Sequence, residues 1–196
     1  FYGLYNIRKL DVGNFIKDIV GFLNIIIRNP EVELTYSCED DVKINVDSDR
    51  FLIVLLNLII NAISYNISET KEIKISLKKC DGYANLLITD NGIGIPDEVV
   101  NNVMSNNNGS KDCIKQKIGS SICGGLDIVS RFCKTFNCKM MISTKENEGT
   151  TIALKIPLAY DNKYPDYLKS DTSEYIINRF SNIYLLASKV CQIKYI

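Results

Sequence analysis

The chain predicts an α/β fold, an open mixed sheet with helices on one face. Two observations carry that prediction. Three stretches repeat apolar residues at helical spacing, and five shorter ones have the alternation and β-branched content of strands. They come in the order helix, strand, helix, strand pair, helix, strand pair, which suits helices layered on a sheet rather than a helical bundle or a β-sandwich.

Asp11 to Arg28 places apolar residues at 12, 15, 16, 19, 20, 23, 26 and 27, a helical period that Pro30 ends. Glu33 to Cys38 alternates as a strand before the acidic run Glu39-Asp40-Asp41. Asp47-Ser48-Asp49 offers capping side chains for a helix running to about Asn66. Glu72 to Lys79 and Tyr83 to Thr89 are strand-like, and Asp81-Gly82 between them predicts a hairpin. From Asn101 to Ser121 the chain turns polar and glycine-bearing and reads as a mobile loop. A helix from about Ile122 to Asn137 follows, then strands Lys139 to Thr144 and Thr150 to Ile156 around Asn147-Glu148-Gly149. Beyond Leu158 comes a polar stretch. A final amphipathic helix over about 173–190 shows apolar residues at 176, 177, 180, 183, 184, 186, 187 and 190. The expected organisation is therefore a domain over 1–158 and a tail over 159–196, whose helix either caps the domain or contacts another module. The start at Phe1 marks the chain as an expected piece of a longer protein.

At 196 residues, 46% hydrophobic and 23% charged, the chain can bury a substantial core. Its 23 basic and 23 acidic residues balance, so no overall field draws nucleic acid or acidic lipid. Seven cysteines lack paired metal-ligand spacing and there is no histidine, which argues against a zinc site and for reduced intracellular thiols. The longest apolar run, Phe51 to Ile63, is broken by asparagines and too short to span a bilayer.

Two segments carry the chemistry. Asn57 and Asn61 stand four apart in that apolar helix, with Tyr65 extending the stripe. Buried amides need polar partners, and a magnesium-bound nucleotide supplies them, because hard cations take amide oxygens and phosphates together. Asp90-Asn91-Gly92-Ile93-Gly94-Ile95-Pro96 puts an acid at a strand end, before glycines that turn sharply and admit a ligand. Asn91 is read as a turn residue.

At these residues the sequence resembles the ATP-binding catalytic domain of sensor histidine kinases, in the gyrase–chaperone–histidine kinase–mismatch-repair superfamily. Asn57 to Tyr65 is similar to the family's N box, and Asp90 to Gly94 to its first glycine box, with Ile95 beside it. Gly125-Leu126-Asp127-Ile128-Val129 is similar to the end of the second glycine box, and Gly149-Thr150-Thr151 to the closing Gly-Thr motif. Four motifs agree in order from about Asp47 to Leu158.

The resemblance implies the two-layer α/β sandwich of a Bergerat-type ATP-binding fold, with ATP and magnesium as cofactors. It makes Asp90 the acceptor for the exocyclic amine of adenine, Asn61 the magnesium ligand, and Asn57 a residue that orients water or phosphate. Lys111, Lys115 and Lys117 would lie in an ATP lid. The family's basic residue three positions after the magnesium asparagine is here Ser64, and two glycines of the second box are Ser121 and Cys123. Gly119 and Gly124 are the available substitutes if that loop is re-routed. The family's acceptor histidine sits on a separate dimerisation hairpin, so this chain, with no histidine, would supply only the ATP site. The implied partners are that hairpin and a downstream response regulator, with no nucleic acid and no direct membrane contact. The implied location is the cytoplasm, whether or not the parent is anchored.

The leading expectation is a protein-histidine kinase catalytic domain. The alternative is a degenerate, non-catalytic nucleotide-binding or scaffold module. A third class, another ATPase of the superfamily, fits less well. Asn57 occupies the position of the gyrase group's catalytic glutamate and leaves no evident base for water.

Overall fold

The computed structural model describes residues 5–27, 29–105, 120–160 and 164–166; the side chains of 105 and 120–123 lie outside that description. The lid lysines, Gly119 and the expected helix over 173–190 therefore lie outside the described residues. Among the described residues, no helix is long and apolar enough to cross a membrane.

Helix α1 (Val12–Ile26) starts where Asp11 accepts a hydrogen bond from the Asn14 N–H at 3.1 Å. It buries Val12, Phe15, Ile16, Ile19, Val20 and Leu23 at the predicted spacing. Helix α2 (Ser48–Ser64) begins in the same way, with Asp47 accepting from the Arg50 N–H at 3.2 Å. Eleven of its residues are buried, so it is the central helix rather than a surface one. Phe15, Phe51, Phe132 and Phe136 stack in sequence with ring centroids 4.7–5.9 Å apart, tying α1 and α2 to α4 (Ser120–Thr135).

The main sheet contains β2 (Val32–Cys38), β4 (Lys71–Cys80), β5 (Tyr83–Asp90), β6 (Lys139–Lys145) and β7 (Gly149–Pro157) in the order β2-β4-β5-β7-β6. β2 runs parallel to β4 and every other pairing is antiparallel, which makes the sheet mixed as predicted. The β4–β5 hairpin closes through Asp81 and Gly82, both at positive φ, as a two-residue turn matched to sheet twist requires. Register lines up Ile75, Ile88 and Ile152 in one row and Leu77, Leu86 and Leu154 in the next, all buried. Each such side chain contributes about 1.5–3 kcal/mol by leaving water. The opposite face of β4 shows Lys74, Ser76 and Lys78, so helices cover a single face.

Three elements differ from expectation. β1 (Ile7–Asp11) and β3 (Lys43–Asp47) pair antiparallel in a separate two-stranded sheet. Each is five residues long and holds only two apolar residues, too few to stand out by alternation. Helix α3 (Asp97–Ser105) takes the first residues of the stretch expected to be loop, starting where the Pro96 carbonyl accepts from Val99 and Val100. Its acidic first turn, Asp97 and Glu98, favours a helix N-terminus despite the polar residues that follow. After β7 the chain runs beside the small sheet, with Ala159 N–H donating to Lys43 and the Pro165 carbonyl accepting from Lys9.

Candidate functional site

The ends of β5 and β7 meet beneath the last turn of α2. In register Asp90 lies opposite Thr150, so the acid predicted for a strand end is fixed at one end of the sheet. Around it opens a cavity of about 460 Å³ counting its mouth. Asn61, Tyr65, Asp90, Gly94, Ile95 and Thr150 line it, and Leu126 of α4 closes one wall. Seven residues chosen from the sequence thus converge on one space. Leu58, Ala62, Ile88 and Ile152 complete the lining and were not singled out. They are apolar, and their signal was positional: Leu58 and Ala62 neighbour Asn61 on α2, while Ile88 precedes Asp90 by one strand repeat and pairs with Ile152.

The loop after Asp90 is fixed by backbone contacts that only glycine permits. A Cβ on Gly92 would stand 2.7 Å from the Tyr65 carbonyl oxygen and 2.9 Å from Asp90 Oδ1. Gly149, at φ +103°, lies so close to the end of β5 that a Cβ would come within 2.0 Å of the Asp90 carbonyl oxygen. The Ile93 N–H donates to the Tyr65 carbonyl and the Asn147 N–H to that of Ile93, at 3.1 and 2.9 Å. The Ile95 N–H donates to Thr144 Oγ1 at 2.8 Å.

Asn91 does more than turn the chain. Its Oδ1 accepts from Asn66 Nδ2 at 2.6 Å and from the Glu72 N–H at 2.8 Å, and its Nδ2 donates to the Thr70 carbonyl at 2.9 Å. Its own carbonyl accepts from Ser68 Oγ at 2.9 Å. One amide thus joins the end of β5, the segment after α2 and the start of β4. Asn66, 2% exposed, is the sequence-invisible partner that makes this possible.

Asp90 is partly buried. Removal from water raises its pKa above the ordinary 3.8, while hydrogen bonds from the Gly92 and Thr150 backbone pull the other way. Gly92 N–H donates to Asp90 Oδ1 at 2.9 Å. The carboxylate is an acceptor poised at a semi-enclosed cavity.

On α2 the two asparagines part company. Asn57 donates its Nδ2 to the Ile53 carbonyl of its own helix at 2.7 Å and does not line the cavity. Asn61 lines it, and its buried Nδ2 has no hydrogen-bond partner among the described residues. α4 crosses here through Gly125, where a Cβ would lie 2.9 Å from Asn61 Nδ2 and 3.4 Å from Asn57 Oδ1. Gly124 faces open space. Because α4 starts at Ser120, both glycines sit inside the helix and their N–H groups serve it, unlike the looped cradle expected of the second glycine box. Gly125 is a packing glycine here, and Gly124 is exposed.

The sheet order, the cavity at one sheet end and the motifs around it define an ATPase-type nucleotide fold. Residues 46–160 match the family profile of histidine kinase-, DNA gyrase B- and HSP90-like ATPases, and the chain belongs to that family. Among curated proteins it is 24% identical over 163 residues to the sensor-like histidine kinase SenX3 of Mycolicibacterium smegmatis, covering 83% of this chain and 41% of that one. It is 29% identical over 129 residues to the sensor histidine kinase YclK of Bacillus subtilis, covering 64% of this chain and 26% of YclK. The chain thus spans less than half the length of these relatives. Its fold is similar to the nucleotide-free catalytic domain of the histidine kinase ThkA, with a TM-score of 0.63 and 21% identity over 77% of this chain and 95% of that one. The mycobacterial sensor histidine kinase MprB superposes with a TM-score of 0.60 and 20% identity, over 79% of this chain and 98% of that one.

Proposed function

We propose that this chain is the nucleotide-holding domain of a two-component protein-histidine kinase. It binds Mg·ATP and positions the γ-phosphoryl group for a histidine on a separate dimerisation hairpin, with a response regulator receiving it downstream in the cytoplasm. The observation that carries the reading is the half-buried Asp90 acceptor, fixed by Gly92 and Thr150 at a cavity that Asn61 also lines. Apolar walls that end on a fixed acceptor suit an adenine base, and an asparagine among them suits a polar ligand group.

In this reading Asp90 accepts from the exocyclic amine of adenine. Gly92 and Gly94 keep the loop backbone close to the base, and Leu58, Ile88 and Ile152 exclude water from it. Asn61 offers its side-chain oxygen to magnesium, and Asn57, held by its Nδ2 bond to the Ile53 carbonyl, keeps its own oxygen to orient water or phosphate. Tyr65, Ile95, Leu126 and Thr150 shape the walls. When bound, ATP supplies the phosphoryl donor and magnesium neutralises its charge; the chain contributes position and field rather than a covalent intermediate. The lid lysines Lys111, Lys115 and Lys117, with Gly119, complete the phosphate side in the proposal.

A degenerate nucleotide-binding module is the second reading. Two observations favour it: exposed Ser64 stands where a basic residue is usual, and the N–H groups of Gly124 and Gly125 are taken up by α4. Both predict weak binding, with a dissociation constant in the micromolar to millimolar range, roughly −4 to −8 kcal/mol. Calorimetric titration of ATP and ADP, with and without magnesium, tests the site. Asp90→Asn should abolish most binding, and an unchanged affinity would show that the pocket is wrongly assigned. Labelled ATP with the parent's hairpin added separates the two readings: slow labelling supports the kinase, and ATP bound without labelling supports the module.

A further inference from the structure

The far end of α4 carries a feature that plays no part in the cavity. Asn137, at φ +53°, ends the helix in a left-handed turn, and the Cys138 N–H donates across it to the Cys133 carbonyl at 2.8 Å. Such six-to-one closures bring the residues at their two ends side by side, normally as an apolar contact. Here both positions are cysteines. The backbone bond limits their Cα–Cα separation to roughly 6.7 Å, inside the ~4.4–6.8 Å that disulfides span. The two thiols are free, and Cys138 Sγ donates to the Phe136 carbonyl oxygen at 3.5 Å, on the same turn. Cys133 is buried and Cys138 half-buried, so the pair lies at the edge of the core.

We propose that Cys133 and Cys138 are an oxidisable pair that closes to an intrachain disulfide on meeting hydrogen peroxide, stapling the end of α4 to the start of β6. In the first step the Cys133 thiolate attacks one peroxide oxygen and breaks the O–O bond. The departing hydroxide leaves as water with the proton Cys133 gave up, and Cys133 becomes a sulfenic acid. Cys138 sulfur then displaces the sulfenic hydroxyl, which leaves as a second water with the Cys138 proton. Two thiols lose two electrons and two protons, and one peroxide becomes two waters. The two sulfurs act on each other in the sense these roles need: the Cys133 pKa is drawn down by its neighbour, while that neighbour and burial push the Cys138 thiol up. Because the closure joins two positions already held together by the backbone bond, it tightens the end of α4 without moving the helix.

The test uses the whole chain, treated with graded hydrogen peroxide, alkylated and digested with trypsin. Cleavage after Arg131, Lys134 and Lys139 separates the two cysteines, so the disulfide appears as peptides 132–134 and 135–139 running as one species until dithiothreitol parts them. Melting temperature should rise with its yield by roughly 5 °C. Both signals should vanish in Cys133→Ser and in Cys138→Ser. A sulfinic acid at Cys133 with Cys138 still alkylated overturns the proposal. So does either cysteine linked to a different one, or a crosslink formed only in denaturant. These outcomes are read on the unsubstituted chain, so they stand even if a serine variant fails to fold.

Discussion

Around Asp90 nearly every polar group is matched, and two glycines seat loop backbone where no Cβ fits. Across the same cavity, Asn61 has a buried amide without a partner, and Asn57 is folded back on its helix. The first end is preorganised and draws its rigidity from hydrogen bonds made inside the fold. The second keeps a buried donor without a partner among the described residues, a local cost to stability. The contrast separates residues whose hydrogen bonds build the fold from one whose position the fold tolerates at a cost.

Substitutions at the two ends should therefore fail differently. The largest effect is expected from Gly149→Ala, whose Cβ would enter the Asp90 carbonyl at a positive φ. We expect a loss of about 4 kcal/mol and a melting temperature lower by roughly 10 °C. An unchanged melting curve would mean that the β5–β7 junction gives way easily and that this end is not rigid. Asn91→Ala leaves the Asn66 amide, the Glu72 N–H and the Thr70 carbonyl unmatched, for about 2–3 kcal/mol in chemical denaturation.

At the other end, Asn61→Ala should cost no stability and gain up to about 1 kcal/mol, since it removes an unsatisfied amide. It should nevertheless erase the magnesium-dependent part of ATP affinity while sparing adenosine. Gly125→Ala alone should destabilise through its approach to Asn61, and Asn61→Ala should rescue it, a coupling of about 1 kcal/mol in a double-mutant cycle. Additive effects would place α4 farther from α2 than described.

The smallest expected effect is on pH dependence. Burial raises the pKa of Asp90, and an amine donor on a ligand would favour the charged form and lower it again. Binding then expels a proton. Affinity should be flat near neutrality and fall as pH drops through the raised value, somewhere above 3.8. Calorimetry in buffers of different ionisation enthalpy reads this directly, and an affinity that stays flat down through the raised value would show that the ligand does not meet Asp90.

Much of this was legible in the chain. Helical spacing located α1 and α2, turn chemistry located the β4–β5 hairpin, and the motifs placed seven residues on one cavity. What escaped detection has physical reasons. β1 and β3 are defined by each other rather than by their own alternation, and α3 is short and polar. Asn91 and Asn57 show the same limit from opposite sides. An asparagine's role depends on which partners the fold brings within 3 Å, and the sequence holds no record of that for a contact nineteen or twenty-five positions away. α4 begins at Ser120, two residues before the expected Ile122, and that half-turn places Gly124 and Gly125 beyond the helix's first turn.

The parallel pairing of β2 with β4 has a kinetic meaning. The hairpins β4–β5 and β6–β7 close over a few residues, whereas Val32 meets Lys71 only after β3 and the whole of α2 have been threaded between them. Closing so long a loop is entropically slow, and β2 is an edge strand bonded on one side only. It should be among the last main-sheet strands to dock during refolding and the first whose amides exchange with deuterium, fraying at the border farthest from β6 while the β5–β7 centre stays shut.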